Sequence, residues 1–188
     1  MTNRMSIQNK EKILQSFFQL LNTSSFENIT VVELTNTAGI SRKTFYRCFK
    51  SKDQLLNNYL EEIMYKWIKH VNNNYPSSND ELIDLLFEFW LKHSYELKIL
   101  INANLASRIL DEFNEIFPKY FIELHNNTKN SNLTKKDRQS LQYLAYLRLG
   151  GIWNIFANWL TQPNKIDFNI LLYLVKQEYN LKLIIDNN

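Results

Sequence analysis

The chain has 188 residues, 45% of them hydrophobic, which is enough to build a buried core. Only three glycines and three prolines occur, which argues against a turn-dense β fold and favours long helices. A single cysteine excludes an internal disulfide, and we find neither a signal-peptide core nor an apolar run of about 18 residues, so we expect a cytoplasmic protein with no membrane partner.

The net charge of +3 is unevenly distributed along the chain. Residues 1–55 hold eight Lys and Arg residues against four Asp and Glu residues, whereas the remainder is slightly acidic. A basic excess that is confined to the first third of a chain indicates that this third contacts nucleic acid.

The first helices predicted along the chain form a helix-turn-helix pattern. An apolar face over about residues 8–21 predicts the first helix. Thr30 and Glu33 have the spacing of a capping box that opens the second helix. Gly39 ends this helix, because glycine adopts the left-handed conformation at little cost, and Ser41 is a good N-cap for the third helix.

The third predicted helix carries charge of one sign on one face. Phe45 and Phe49 lie four residues apart and would anchor its other face in the core. The basic residues of this helix and the following turn are Arg42, Lys43, Arg47, Lys50 and Lys52, with no acidic residue among residues 41–52. A short basic helix behind a glycine turn is suited to enter the major groove of double-stranded DNA. The alternative is a solvated basic face without a ligand.

The segment GISRKTFYRCFKSKDQL, residues 39–55, resembles the recognition segment of the TetR family of bacterial transcriptional regulators. The matching positions are Gly39, Ile40, Ser41, Thr44, Phe45, Tyr46, Phe49, Ser51, Lys52, Asp53 and Leu55. Cys48 departs from the pattern, because an aromatic residue or histidine is usual there. The resemblance implies an all-α fold of about nine helices, with an N-terminal three-helix helix-turn-helix DNA-binding domain and a C-terminal helical ligand-binding and dimerisation domain.

The predicted DNA-binding side chains divide by role. Those expected to hold phosphates are Thr30, Ser41, Thr44, Tyr46 and Lys52. Arg42 and Lys43 are the candidates for base-edge contacts, and Arg47 and Lys50 would add electrostatic attraction. One helix-turn-helix reads few base pairs, so we expect a homodimer on a palindromic operator whose half-sites lie about 34–36 Å apart, or a multiple of that.

A polar break after the fourth helix divides the predicted domains. We predict a DNA-binding domain over residues 1–55, a linking helix over residues 52–71, and a regulatory and dimerisation domain over residues 56–188. The later predicted elements are a helix from Ser78 through Trp90, a short segment near 97–106, helices near 108–125 and 134–160, a polar loop over 126–132, and a last helix near 167–184. Pro118 predicts a kink or break.

Aromatic residues are dense in the C-terminal part. The candidate ligand-pocket residues are Phe87, Trp90, Tyr95, Phe113, Phe117, Phe121, Tyr143, Tyr146 and Trp153. Such residues either line a cavity for a flat or apolar molecule or simply form the core. The pocket prediction rests mainly on the family resemblance, and the implied effector is an unknown small molecule that is uncharged or weakly polar.

Two adjacent glycines interrupt the longest apolar helix. Gly150 and Gly151 each cost about 1 kcal/mol of helix propensity, which suggests that another helix approaches the backbone closely there. The resemblance implies a four-helix dimer interface formed by the last two helices of each protomer. The candidate interface residues are Leu149, Gly150, Ile152, Phe156, Leu171, Leu174 and Val175. The alternative is a local kink with no role in an interface.

The sequence contains no pattern that indicates catalysis. The three histidines are scattered, so we expect no metal and no cofactor, and no catalytic motif points to an enzyme. We expect a repressor that leaves its operator when a small, largely apolar ligand binds. The alternative is a DNA-organising protein that needs no ligand, or a DNA-binding protein controlled by a protein partner. A well-formed cavity would favour ligand sensing, and a filled core would favour the alternative.

Overall fold

A computed structural model describes residues 2–129 and 133–180, with side chains over residues 5–126 and 133–179. These residues contain nine α-helices and no strand. The helices are α1 (Thr2–Leu21), α2 (Val31–Ala38), α3 (Arg42–Cys48), α4 (Lys52–Asn74), α5 (Asn79–Lys92), α6 (Ser94–Asn102), α7 (Ala106–Lys129), α8 (Lys135–Thr161) and α9 (Phe168–Asn180). The predicted all-α fold of about nine helices is confirmed.

Several helix ends differ from the predicted ones. α1 begins six residues before the predicted residue 8, and α4 continues to Asn74. The predicted break at Pro118 is absent, because α7 runs through this buried proline to Lys129. α7 therefore includes the first residues of the loop predicted over 126–132. The rest of that loop lies mostly outside the described residues, as does the predicted extension of α9 to residue 184.

The described chain divides into two compact units. The first unit comprises the residues up to Ile63 together with Tyr95–Leu105, and the second comprises Met64–Ser94 and the residues from Ala106 onward. The unit boundary falls within α4. The predicted domain division after residue 55 remains a prediction.

The first unit is built around α1, which packs against both α2 and α3. Ile13 and Phe17 of α1, Leu34 of α2 and Phe45 of α3 are completely buried. Phe17 also meets Phe26 edge to face, with ring centroids 6.1 Å apart. Burial of these side chains fixes the two helices of the helix-turn-helix against α1.

The second unit has a core of aromatic side chains. α7 packs along α8, and α5 packs along α9. α9 runs antiparallel to α8, because Arg148 lies 5.1 Å from the ring centroid of Tyr179 while the Trp159 indole N–H donates to the carbonyl of Ile166 at 2.8 Å. An ion pair of 2.5 Å between Lys176 and Asp84 also joins α9 to α5.

Candidate nucleic-acid interface

The capping box predicted at the start of α2 is present. The Thr30 hydroxyl accepts from the Glu33 backbone N–H at 3.2 Å. In return, the Glu33 carboxylate accepts from the Thr30 N–H and from its hydroxyl, both at 2.8 Å. These two hydrogen bonds lower the pKa of Glu33, with a smaller contribution from the charge of Lys52. The box fixes the first turn of α2, and it already uses the hydroxyl proton of Thr30, an exposed residue predicted to hold a phosphate.

The turn between α2 and α3 depends on a left-handed glycine. Gly39 has φ +63° and ψ +37°, and its N–H donates to the carbonyl of Asn36. The next N–H, that of Ile40, donates to the carbonyl of Thr35 at 3.0 Å. These bonds close the end of α2 within a single residue. α3 can therefore begin at Arg42, three residues after Gly39.

α3 presents its basic side to solvent and its aromatic side to the core. Ser41 caps the helix by accepting from the Thr44 N–H at 3.1 Å, and the two hydroxyls lie 3.0 Å apart. Phe45 is completely buried and Phe49 is buried, as predicted. The exposed side chains of this segment are Arg42, Lys43, Tyr46, Arg47 and Lys50, together with the Ser41 cap. Thr44 is half-buried.

Lys52 does not occupy the position expected of a phosphate contact. Its ammonium donates to the carbonyls of Phe26, Glu27 and Ile29 at 2.6, 2.8 and 2.9 Å. A lysine ammonium has three N–H donors, so these bonds use all of them. The prediction that Lys52 holds a phosphate is therefore corrected, because its donors point into the α1–α2 loop.

Lys10 was missed by the sequence reasoning. Its ammonium on α1 lies 5.9 Å from the ring centroid of Phe49, at the end of α3. Lys10 is exposed, so it adds a positive charge near the C-terminal end of α3. Its distance from α3 in the sequence hid this proximity, because only the packing of α1 against α3 brings the two together.

Comparison with known proteins identifies this first unit. Residues 13–59 match the model of the family described as bacterial regulatory proteins, tetR family. This part of the chain is a TetR-family DNA-binding region. The matched residues include the whole helix-turn-helix, so the family resemblance of residues 39–55 is confirmed.

Proteins similar to this chain have names that state different roles. It is 23% identical over 120 residues to the dhaKLM operon transcriptional activator DhaS of Lactococcus lactis, and the match covers 64% of each chain. It is 33% identical over 66 residues to the nucleoid occlusion factor SlmA of Shewanella sp. (strain W3-18-1), covering 35% of this chain and 34% of SlmA. The chain thus spans less than two thirds of either relative.

Two solved structures have the same fold. A TetR transcriptional regulator from Streptococcus agalactiae 2603V superposes with a TM-score of 0.64 at 18% identity, covering 94% of this chain and 96% of that one. The dihydroxyacetone kinase operon activator DhaS superposes with a TM-score of 0.51 at 19% identity, covering 92% and 93%. At these identities the likeness concerns the fold alone. It supports the predicted arrangement of an N-terminal helix-turn-helix and a C-terminal helical domain.

The predicted ligand-pocket residues fall into three groups in the structure. Phe87, Trp90, Phe113 and Trp153 are buried and pack on one another and on Phe156, with the Trp90 and Phe156 rings 4.9 Å apart and those of Trp90 and Trp153 5.4 Å apart. Ring contacts at these distances fill the core. These four residues therefore form the core of the second unit in this conformation.

Three other predicted pocket residues are on the surface. Tyr95 is 67% exposed and belongs to the first unit, and Tyr143 and Tyr146 are 65% and 38% exposed. The pocket assignment of these tyrosines is therefore wrong for this conformation. Aromatic content alone could not separate them from the buried rings, because a tyrosine on an amphipathic helix is stable on either face.

Phe117 and Phe121 line a small cavity of the second unit. The cavity has a volume of about 20 Å³ and lies among α5, α7, α8 and α9, with Arg148 and Tyr179 also on its wall. The Tyr179 hydroxyl is buried without a hydrogen-bond partner, and burial raises its pKa. This volume accommodates about one water molecule, which is far below the size of an effector site.

Most of the predicted dimer-interface residues are buried within their own chain. Leu149, Ile152 and Phe156 of α8, and Leu171 and Val175 of α9, are buried. Their assignment to a dimer interface is corrected, because they pack in the core of the second unit. Leu174 is 51% exposed and Gly150 is half-buried, so these two remain available to a partner.

α8 and α9 also expose apolar residues, on faces other than those that carry their buried residues. Besides Tyr143 and Tyr146, they are Leu147, Gly151 and Ile155 of α8 with Ile170, Tyr173 and Leu174 of α9; these last six residues are called the α8–α9 surface below. A Cβ atom placed on Gly150 or Gly151 would meet no other atom within 4 Å. The packing of this chain therefore does not explain the glycines.

Across the described residues, no group of three or more His, Cys, Asp or Glu side chains could hold a metal ion. Within that same part of the chain, no helix is both long and apolar enough to cross a membrane.

Proposed function

We propose that this regulator binds a palindromic operator as a homodimer and represses transcription by competing with polymerase. The observation that carries the proposal is the exposed basic side of α3, held by the Ser41 cap and by the buried Phe45. On this proposal Arg42 and Lys43 read base edges, and Tyr46, Arg47 and Lys50 lie near phosphates. Lys10 adds to the positive field at the same end of α3.

The α8–α9 surface supports a dimer. A helix face with Leu147 and Ile155 exposed is apolar where solvent would favour polar residues. Gly151 between them leaves room for a helix of a second copy to approach the backbone. A two-fold dimer also gives the two recognition helices that a palindrome requires. The occupant proposed for this surface is therefore a second copy of this chain.

The control of DNA binding has two candidates. The first is release by a small apolar ligand, as predicted from the sequence, and the cavity beside Phe117 and Phe121 would have to enlarge well beyond about 20 Å³ to hold such a ligand. The filled aromatic core around Trp90 favours the second candidate, in which a protein partner controls binding or no effector is needed. The names of the relatives, an activator and a nucleoid occlusion factor, support neither repression nor release by a ligand.

The test is a binding series on duplexes taken from the DNA upstream of the gene. We expect one dimer per palindrome, with protection of two half-sites. Arg42→Ala should weaken binding by about 1–3 kcal/mol and relax the base preference at one or two positions. Lys119→Ala, which removes one exposed positive charge of α7, is the matched control and should bind as the wild type does. Equal binding of all duplexes by the wild type would contradict the operator proposal.

Transcription from the identified operator then separates the modes of control. Repression in a purified transcription reaction would support the repressor proposal, and stimulation would contradict it. Release of DNA by an apolar small molecule in a screen would support ligand control. A bound partner protein that changes operator affinity, with no response to small molecules, would support the second candidate.

A further inference from the structure

We infer that Lys52 is a positioning residue of the DNA-reading unit, which orders the start of α2 by binding backbone carbonyls and does not itself contact DNA. The inference rests on the proposed operator binding, because its functional consequence is measured on that operator. It replaces the phosphate role expected from the sequence.

Backbone carbonyls of the α1–α2 loop accept every N–H of the Lys52 ammonium. The carbonyls of Phe26, Glu27 and Ile29 accept its three N–H donors at 2.6–2.9 Å. Its Nζ atom also lies 4.7 Å from the ring centroid of Phe26, within the range of a cation–π interaction. A phosphate could reach this ammonium only by displacing a charge-assisted hydrogen bond.

The bound loop leads directly into α2. Ile29 is followed by Thr30, the N-cap whose capping box with Glu33 begins that helix. The side chains of Phe26 and Ile29 are buried, so the loop is fixed from inside by its side chains and from outside by Lys52. Lys52 therefore sets where the α2 backbone begins.

The same first turn of α4 also holds the end of the α3 segment. The Gln54 side chain accepts from the Lys50 N–H at 2.6 Å, and the Ser51 hydroxyl accepts from the Gln54 N–H at 3.1 Å. Through Lys52 and Gln54, one helical turn is bonded to the segments that flank both helices of the helix-turn-helix. DNA readout needs these helices fixed to within about 0.5 Å, so a loose start of α2 should reduce binding.

The test compares Lys52→Met with Lys50→Met on the selected operator duplex. Both variants lose one positive charge, but the ammonium of Lys50 belongs to an exposed side chain. For each protein we would measure amide hydrogen exchange at residues 31–34, the Tm, the operator affinity well below the Tm, and the slope of log affinity against log salt.

For Lys52→Met we expect faster exchange at residues 31–34, a Tm lower by about 5 °C or more, and at least a tenfold loss of operator affinity at an unchanged salt slope. For Lys50→Met we expect wild-type exchange and Tm, with a shallower salt slope if it lies near a phosphate. A Lys52→Met protein with a shallower slope and wild-type exchange would overturn the inference in favour of a phosphate contact. Faster exchange with wild-type affinity would reduce Lys52 to a stability residue and also overturn it.

Lys52→Arg keeps the test decisive if Lys52→Met does not fold. Arginine retains the charge and can bind a phosphate, but its planar fork does not match three converging carbonyls. We expect a weaker operator affinity with a wild-type salt slope, and wild-type behaviour in every measurement would overturn the inference. Failure of the wild type to select any duplex would instead overturn the operator proposal, and is recognised in the wild-type series alone.

Discussion

Leu147 is the residue at which the proposed dimer is tested most directly. It lies on α8, is 70% exposed, and is the most exposed aliphatic residue of the α8–α9 surface. Alanine at this position keeps the helix, because it has the best helix propensity. Leu147→Ala should therefore weaken the dimer without unfolding the protomer.

The magnitude follows from the area that a partner would bury. Full burial of a leucine side chain contributes about 1.5–3 kcal/mol, and the exposed 70% of Leu147 corresponds to about 1–2 kcal/mol. Two-fold symmetry places the substitution in the interface twice, so the dimer should lose about 2–4 kcal/mol. This loss raises the dimer Kd by roughly 30- to 700-fold.

Sedimentation equilibrium over a dilution series measures that Kd. Tyr65→Ser, at a side chain of α4 with 68% exposure, removes a similar exposed apolar group elsewhere and should leave the Kd unchanged. A Leu147→Ala Kd within twofold of the wild-type value would show that α8 does not form the interface with this face. A wild-type chain that is monomeric at all concentrations would refute the dimer itself.

Two further predictions concern the start and the end of α2. The pKa of Glu33 is lowered in the fold by its hydrogen bonds from Thr30, so its contribution to stability is present above the ordinary pKa of 4.5 and is lost as pH falls through the folded value. The Tm difference between wild type and Glu33→Gln should accordingly be largest above pH 5 and shrink towards pH 3, and a difference that is constant over this range would contradict the argument. Gly39→Ala should lower the free energy of unfolding by about 1–2 kcal/mol, because φ is +63° although the site is sterically open, whereas Gly39→Asn should lose less. Urea denaturation measures both variants, and equal losses for alanine and asparagine would refute the left-handed explanation.

The helix-turn-helix could be predicted from the sequence because its determinants are local. The Thr30–Glu33 box, the glycine at 39 and the cap at Ser41 each act within four residues. Such contacts form whenever the helix forms, so spacing alone is enough to recognise them. The family match to residues 13–59 agrees with this part of the sequence interpretation.

The faces of the C-terminal helices could not be predicted in the same way. α8 carries one apolar stripe through Leu149, Ile152 and Phe156 and another through Leu147 and Ile155. Periodicity shows that both stripes exist, but it does not show which one packs in the chain's own core. The position of α7 along α8 makes that choice, and it buries the stripe that had been assigned to the dimer.

The sequence by itself thus determined the helix-turn-helix and its exposed basic side, because capping, turn and charge patterns are encoded at short range. Only the tertiary structure decided that the aromatic residues around Trp90 fill a core and that Lys52 binds carbonyls more than 20 residues away. These contacts depend on the packing of whole helices. The same apolar or charged residue type can be buried at one position and exposed at another, and the local sequence is similar in both cases.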